Sequence, residues 1–207
     1  MNDKKNIKGF TIIELLIATA VFSLVLLIFL TAFIRIGNLF YKGVNMSNTQ
    51  EVARSTLDDI TNDIKFSRSR PYIVKADSTG LGYFCIGQHR YKYNLGQQVG
   101  APGTVFGLLR EDIGGVNCPA PTVPGANPVE MLDGRMQLNQ MDISCDLESL
   151  CTIKLHVVYY GDDNSVLVSP GHNPLGYKAP DADCTGGLSS AQLCAVADYS
   201  STVSQKI

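Results

Sequence analysis

The feature that most constrains this chain is an apolar run near its start, "GFTIIELLIATAVFSLVLLIFL" from Gly9. Between Phe10 and Ile34 every residue is apolar or carries a small hydroxyl, except Glu14. The run exceeds the roughly 20 helical residues that cross a hydrocarbon core. A cleaved secretory signal has a core of only roughly 7–15 residues, followed by a small-residue cleavage site. The run therefore predicts a membrane helix that stays with the protein.

Charge next to the run predicts its orientation. Lys4, Lys5 and Lys8 precede it against Asp3 alone. Basic residues beside a membrane helix favour the cytoplasmic side. We therefore expect a single-pass protein of the cytoplasmic membrane, with its short leader in the cytoplasm and everything after Arg35 on the other side.

Glu14 is the one carboxylate inside the run. An ionisable residue within a membrane helix costs about 2.5–3.5 kcal/mol on insertion scales, and it marks a functional hypothesis by default. Alternatively, Glu14 lies near the helix end and extends its carboxylate to the interface. The residues around Glu14 decide between these two interpretations.

The segment "GFTIIELL", preceded by the basic leader, resembles the processing signature of type IV prepilins and type II secretion pseudopilins. The resemblance implies that a prepilin peptidase cleaves after Gly9 and methylates the new N-terminal residue, Phe10. It also implies that Glu14 is an assembly contact, paired with the N-terminal amine of a neighbouring subunit. The implied partners are other pilin or pseudopilin subunits, the prepilin peptidase, an inner-membrane assembly platform and, before assembly, the membrane.

The helix is predicted to continue beyond the membrane. No proline occurs between Arg35 and Arg70, and Pro71 supplies a stop. Gly37 and Gly43 weaken this region, so a local break within 37–49 stays open. An apolar stripe at helical spacing predicts packing against a sheet; its members are Ala53, Leu57, Ile60 and Ile64.

The rest of the chain is predicted to form a β-rich head. Alternation in "HRYKYNL" places Tyr91 and Tyr93 on the opposite face from Arg90 and Lys92, as in a half-buried strand. Strands without intervening long helices favour an antiparallel sheet. Strand-like segments occupy 72–74, 82–87, 89–95, 104–112, 133–145 and 151–160. The Gly- and Pro-rich segment 114–128 is predicted to be an exposed loop that carries partner-specific contacts.

These predictions give an α+β, pilin-like fold in which a long N-terminal helix packs on an antiparallel β-sheet head. The predicted boundaries are a cleaved leader over 1–9, a transmembrane and filament-core helix over 10–34, its amphipathic continuation over 35–70, and a disulfide-containing head over 71–207.

Six cysteines follow the membrane run, an even number that suggests disulfides on the non-cytoplasmic side. Six cysteines allow 15 pairings. Proximity in sequence favours Cys145–Cys151 and Cys184–Cys194, which leaves Cys85–Cys118 by elimination. No cysteine or histidine cluster has zinc-ligand spacing, so no metal site is expected.

The C-terminal region includes "SSAQLCAV" over 189–196, which is predicted to form a short helix capped by Ser189 or Ser190. A Cys184–Cys194 disulfide would tie this helix to the loop before it. Two interpretations stay open: the bridge stabilises a small head, or the bridged region is exposed for subunit contacts or adhesion.

Composition excludes several function classes. The chain has 17 basic and 19 acidic residues, without the clustered basic surface that nucleic-acid binding requires. Its three histidines lie outside the common catalytic and zinc motifs, and no phosphate- or dinucleotide-binding glycine motif occurs. No catalytic residue, enzymatic activity or cofactor is therefore expected.

Three functions remain open. The first is a minor type IV pilin that acts in pilus initiation or at the tip. The second is a pseudopilin whose short filament drives protein export by type II secretion; "HRYKYNL" with "LLRED" resembles strands of minor pilins and of J-type pseudopilins. The third is an uncleaved, membrane-anchored binding protein.

Overall fold

The structure is a computed structural model that describes residues 10–67, 69–100, 106–115, 117–146, 150–159 and 194–205. The chain divides into an N-terminal unit that ends at Phe40 and a second unit, here called the head, that begins at Tyr41. The elements in the described residues are α1 (Ile12–Phe66), β1 (Tyr72–Val74), β2 (Leu81–Ile86), β3 (His89–Asn94), β4 (Leu108–Asp112), β5 (Ala126–Glu130), β6 (Met136–Cys145), β7 (Leu150–Tyr159) and β8 (Ala195–Ser204).

Helix α1 is continuous through Gly37 and Gly43, so the break left open within 37–49 does not occur. Glycine disfavours a helix by only about 1 kcal/mol relative to alanine, so two glycines do not interrupt a helix of 55 residues. The predicted stripe is confirmed, since Ala53, Leu57, Ile60 and Ile64 are all buried in the core of the head.

The first sheet has five antiparallel strands in the order β1-β2-β3-β4-β5. The predicted alternation of β3 is confirmed for its tyrosines, because Tyr91 and Tyr93 are both buried. Phe84 stacks on Tyr91 with ring centroids 4.8 Å apart. Aromatic pairs of this kind stabilise beyond the area that they bury.

The second sheet has three antiparallel strands in the order β6-β7-β8. Isolated bridges connect Leu95 with Leu138 and Gln98 with Gln137, where β6 begins. Residues of α1 and of both sheets contribute to one hydrophobic cluster. The predicted α+β, pilin-like architecture with antiparallel sheets is confirmed.

Two local predictions are wrong. Residues 126–128 belong to strand β5 rather than to a loop, because β5 is an edge strand, where Pro128 is tolerated. Ala195 and Val196 begin β8 rather than ending a helix, since both pair with β7. Residues 189–193, the rest of that predicted helix, lie outside the described residues.

Two of the predicted disulfides are present, Cys85–Cys118 and Cys145–Cys151. The second of these joins β6 to β7 at the paired positions Cys145 and Cys151. The prediction for Cys184 with Cys194 falls outside the described residues, because Cys184 is not among them.

Candidate processing and assembly site

Helix α1 begins with a capping box. The Glu14 carboxylate accepts hydrogen bonds from the Thr11 backbone N–H at 3.0 Å and from the Thr11 hydroxyl at 2.9 Å, and the Glu14 N–H donates to that hydroxyl at 3.3 Å. This reciprocal arrangement satisfies donors that a helix start otherwise leaves unpaired. The residue that sequence analysis missed is Thr11, although its signal, Thr-x-x-Glu before an apolar run, is visible in the sequence.

Glu14 keeps part of its carboxylate available. Both bonds from Thr11 end on Oε2, and Oε1 accepts no hydrogen bond from the described residues. Phe10, immediately before the box, is 82 % exposed. Gly9, the other residue of the predicted cleavage site, lies outside the described residues. The arrangement therefore leaves one carboxylate oxygen able to accept a further hydrogen bond or to pair with a cation.

The apolar part of α1 is exposed on all its faces. Large apolar side chains that face solvent extend from Phe10 to Met46 along the helix. Within the described residues, α1 is the one helix long and apolar enough to cross a membrane. An isolated chain cannot keep such a surface in water, so a lipid or protein environment must cover it.

In the head, an ionic cluster joins the end of α1 to β3. The Asp63 carboxylate lies 2.7 Å from His89 Nδ1 and accepts a hydrogen bond from the Tyr91 hydroxyl. Burial, together with this carboxylate, raises the pKa of Tyr91 above its ordinary value. On the other side of the imidazole, Nε2 lies 3.3 Å from Arg110 Nη2 and 3.4 Å from Asp112 Oδ1. The cluster fastens α1 to two strands.

A cavity of about 700 Å³ lies next to this cluster. It is bounded by the end of α1, the β2–β3 turn and the segment that follows β4; its lining includes Asp63, Phe66, Ser67, Gln88 and His89. The imidazole of His89 is partnered by the carboxylates of Asp63 and Asp112 and by the guanidinium of Arg110. The groups that meet here hold the end of α1 against β3 and β4.

A second ionic cluster occupies the opposite face of the first sheet. Arg90 is fully buried, and its guanidinium donates to the carboxylate of Glu111, which also lies 2.6 Å from Lys92 Nζ. Burial raises the pKa of Glu111, but hydrogen bonds from Lys92 and Arg90 lower it more, and the net shift is downward. Sequence analysis treated Arg90 as part of the polar face of a half-buried strand and did not foresee its burial.

In the described part of the chain, no group of three or more cysteine, histidine or carboxylate side chains could hold a metal ion. The disulfide-bonded state of Cys85, Cys118, Cys145 and Cys151 also removes these thiols as ligands.

Residues 4–30 match the family model described as the prokaryotic N-terminal methylation motif, the type IV prepilin signal. The match includes Phe10, Thr11 and Glu14 and ends inside the apolar half of α1. No curated protein and no solved structure matches the chain.

Proposed function

We propose that this chain, which carries a prepilin methylation motif, is a structural subunit of a type IV pilus, a minor pilin that acts in pilus initiation or at the tip. The observation that carries the proposal is the methylation motif directly at the start of an exposed apolar helix. A filament core formed from such helices would cover the apolar surface that a single chain leaves open. The motif also suggests a structural role rather than an enzymatic one.

Processing would occur at the Gly9–Phe10 bond on the cytoplasmic side of the membrane. The prepilin peptidase would remove residues 1–9 and methylate the new amine of Phe10. A glycine before the cut suits a protease that must approach the backbone closely. The exposed side chain of Phe10 supports this proposal, because little packing holds the residue before the helix start.

Glu14 would act in assembly through Oε1, the oxygen that Thr11 leaves without a hydrogen bond. An unpaired carboxylate in an apolar environment is costly. Pairing Oε1 with the N-terminal amine of an incoming subunit would remove this cost, and it would thereby fix the register of the two helices. Thr11 would hold the carboxylate in place for this contact.

The proposed segments follow from this function. Residues 10–34 would span the membrane before assembly and form the filament core afterwards. Residues 35–70 would continue the helix, and residues 71–207 would lie outside the cytoplasm and finally at the cell surface. The two disulfides suit an oxidising compartment outside the cytoplasm.

Mass spectrometry of the N-terminal peptide tests processing and location together. The peptide is isolated separately from sheared surface filaments and from membranes. N-methyl-Phe10 in the sheared fraction supports a pilus subunit. The same peptide confined to membranes supports the short pseudopilus of type II secretion instead. An intact leader in the presence of active peptidase would refute processing and favour an uncleaved membrane-anchored protein.

Two variants separate processing from assembly. Gly9→Val should block cleavage, whereas Glu14→Gln should be cleaved and methylated but depleted from filaments. Thr11→Val is the matched comparison, because it removes the hydroxyl that positions the carboxylate but keeps the carboxylate itself. It should therefore enter filaments better than Glu14→Gln and less well than the wild type. If Glu14→Gln enters filaments as efficiently as the wild type, the assembly role of Glu14 is wrong.

A further inference from the structure

The face of the first sheet that points away from α1 carries a row of residues in register. Cys85 on β2 lies directly opposite Arg90 on β3, and Arg90 lies directly opposite Glu111 on β4. Adjacent partners on one face of an antiparallel sheet have Cβ atoms about 4.5–5.5 Å apart. The three side chains therefore form a continuous line across three strands.

The segment 118–125 is fastened across this row. Its first residue, Cys118, is bonded to Cys85. Near its end, Gly125 passes so close to Glu111 that a Cβ on the glycine would lie 2.6 Å from the Glu111 Cβ. Between these points the segment lies over Arg90, which explains how a residue on the polar face of the strand becomes fully buried.

Arg90 binds this segment through several hydrogen bonds. Nη1 donates to the carbonyl oxygens of Pro119 at 3.1 Å and Ala120 at 2.9 Å, and Nη2 donates to the carbonyl of Val123. Glu111 accepts from Nε and from Nη2, so the guanidinium is held on the sheet side as well. A rigid, planar guanidinium with several donors is suited to such fixed geometry.

We infer that Arg90 is a positioning residue for the Cys85–Cys118 disulfide: its guanidinium holds the carbonyls of Pro119 and Ala120 and thereby places the thiol of Cys118 against that of Cys85. The two cysteines are 33 residues apart in sequence, so an unrestrained loop would bring them together at an entropic cost. Arg90 lies beside Cys85 in the sheet and binds the two residues that follow Cys118. These contacts bring Cys118 close to Cys85 and so reduce the entropic cost of closing the loop.

The oxidation itself is an ordinary thiol–disulfide exchange with oxidised glutathione as the test oxidant. One cysteine thiolate attacks the glutathione disulfide, forms a mixed disulfide and releases one glutathione thiolate. The second cysteine thiolate then attacks the protein-bound sulfur of the mixed disulfide and releases the other glutathione. Two electrons pass from the cysteines to glutathione, which leaves as two reduced molecules that take up the two thiol protons.

The first test measures how readily each disulfide forms. The full-length chain in detergent micelles is equilibrated in glutathione buffers of graded ratio, free thiols are alkylated, and each cysteine peptide is quantified by mass spectrometry. Arg90→Met should lower the effective concentration of the Cys85–Cys118 pair by about tenfold or more, because a hydrogen bond to a charged group contributes at least about that factor. The Cys145–Cys151 pair, on the other sheet, is the internal control and should stay within about twofold.

Outcomes of this test separate positioning from general destabilisation. An unchanged Cys85–Cys118 value in Arg90→Met overturns the inference, and so does an equal fall for both pairs. Arg90→Lys keeps the positive charge beside Glu111 but lacks the planar fork, so an intermediate value is expected. If Arg90→Met fails to fold, an unchanged value in Arg90→Lys overturns the inference.

The second test asks whether Arg90 holds the segment when no disulfide can form. In the Cys85→Ala/Cys118→Ala protein, hydrogen exchange is followed in peptides that cover 117–125. The Val123 amide, which donates to the Ala120 carbonyl at 3.0 Å, should remain protected, and in the same background Arg90→Lys should speed its exchange at least about tenfold. Complete loss of protection in the double-alanine protein would mean that the disulfide, and not Arg90, holds the segment in position, and would overturn the inference.

Discussion

The two described disulfides should stabilise the protein by different amounts, because they close loops of different length. Cys85–Cys118 spans 33 residues and Cys145–Cys151 spans six. Neither loop contains another cysteine, so each closes independently. In the chain-entropy account, the longer loop contributes about 3.7 kcal/mol to the free energy of unfolding and the shorter about 2.2 kcal/mol. The expected difference is about 1.5 kcal/mol.

Alanine replacement of each pair provides a matched comparison. Each disulfide joins one buried cysteine, Cys85 or Cys151, to one half-buried cysteine, Cys118 or Cys145. Lost packing should therefore be similar in both double variants, and the remaining difference should report loop length.

Urea unfolding of the full-length chain in nonionic detergent measures both losses. Near-ultraviolet circular dichroism of the tyrosines reports on the head, since the chain has nine tyrosines and no tryptophan. Equal slopes against urea concentration are needed before midpoints are compared as free energies. A loss for the Cys145–Cys151 variant that equals or exceeds the loss for the Cys85–Cys118 variant would refute the loop-length reasoning.

Three further predictions concern single side chains of the head. Tyr91→Phe removes the hydrogen bond to Asp63 and should lower the free energy of unfolding in urea by about 1.5–3 kcal/mol, typical of a bond to a charged acceptor. Gly82→Ala should lower the melting temperature, because the added Cβ would lie 2.3 Å from a ring carbon of Tyr93, and overpacking typically costs about 1–3 kcal/mol. Burial raises the pKa of Glu130 in the folded protein above its ordinary 4.5. The contribution of this group to the free energy of unfolding is therefore present below pH 4.5 and is lost as pH rises through the pKa of the folded state. The free energy of unfolding in urea should therefore rise for Glu130→Gln relative to wild type as pH increases between about pH 4 and pH 7. A constant difference between the two proteins would contradict this.

Features set by local periodicity could be predicted from the sequence. The stripe that includes Leu57 and Ile60 repeats at helical spacing, and both residues are buried. The tyrosines of β3 alternate at strand spacing and are also buried. The methylation motif is a contiguous stretch of residues, so it too could be recognised without a structure.

Features set by distant parts of the chain could not be predicted in this way. β8 pairs with β7 from Tyr159↔Ala195 to Leu150↔Ser204, and its sequence, rich in alanine and serine, has weak strand propensity of its own. The secondary structure of such a segment is determined by the strand with which it pairs. Arg90 is buried by carbonyl groups 29 to 33 positions further along the chain, and no pattern around Arg90 indicates them. The capping box at Thr11 is different, since its signal is local and was overlooked.

The two clusters on β3 together show how one strand organises the head. His89 and Tyr91 point to α1 and bind Asp63, whereas Arg90, between them in sequence, points to the other face and binds the segment over it. Because successive side chains of a strand alternate between faces, a shift of β3 by one residue would break both clusters at once. The register of β3 therefore determines where the segment 118–125 lies relative to the part of α1 within the head. If that segment contacts neighbouring subunits, substitutions at Arg90 should alter those contacts without touching any neighbour.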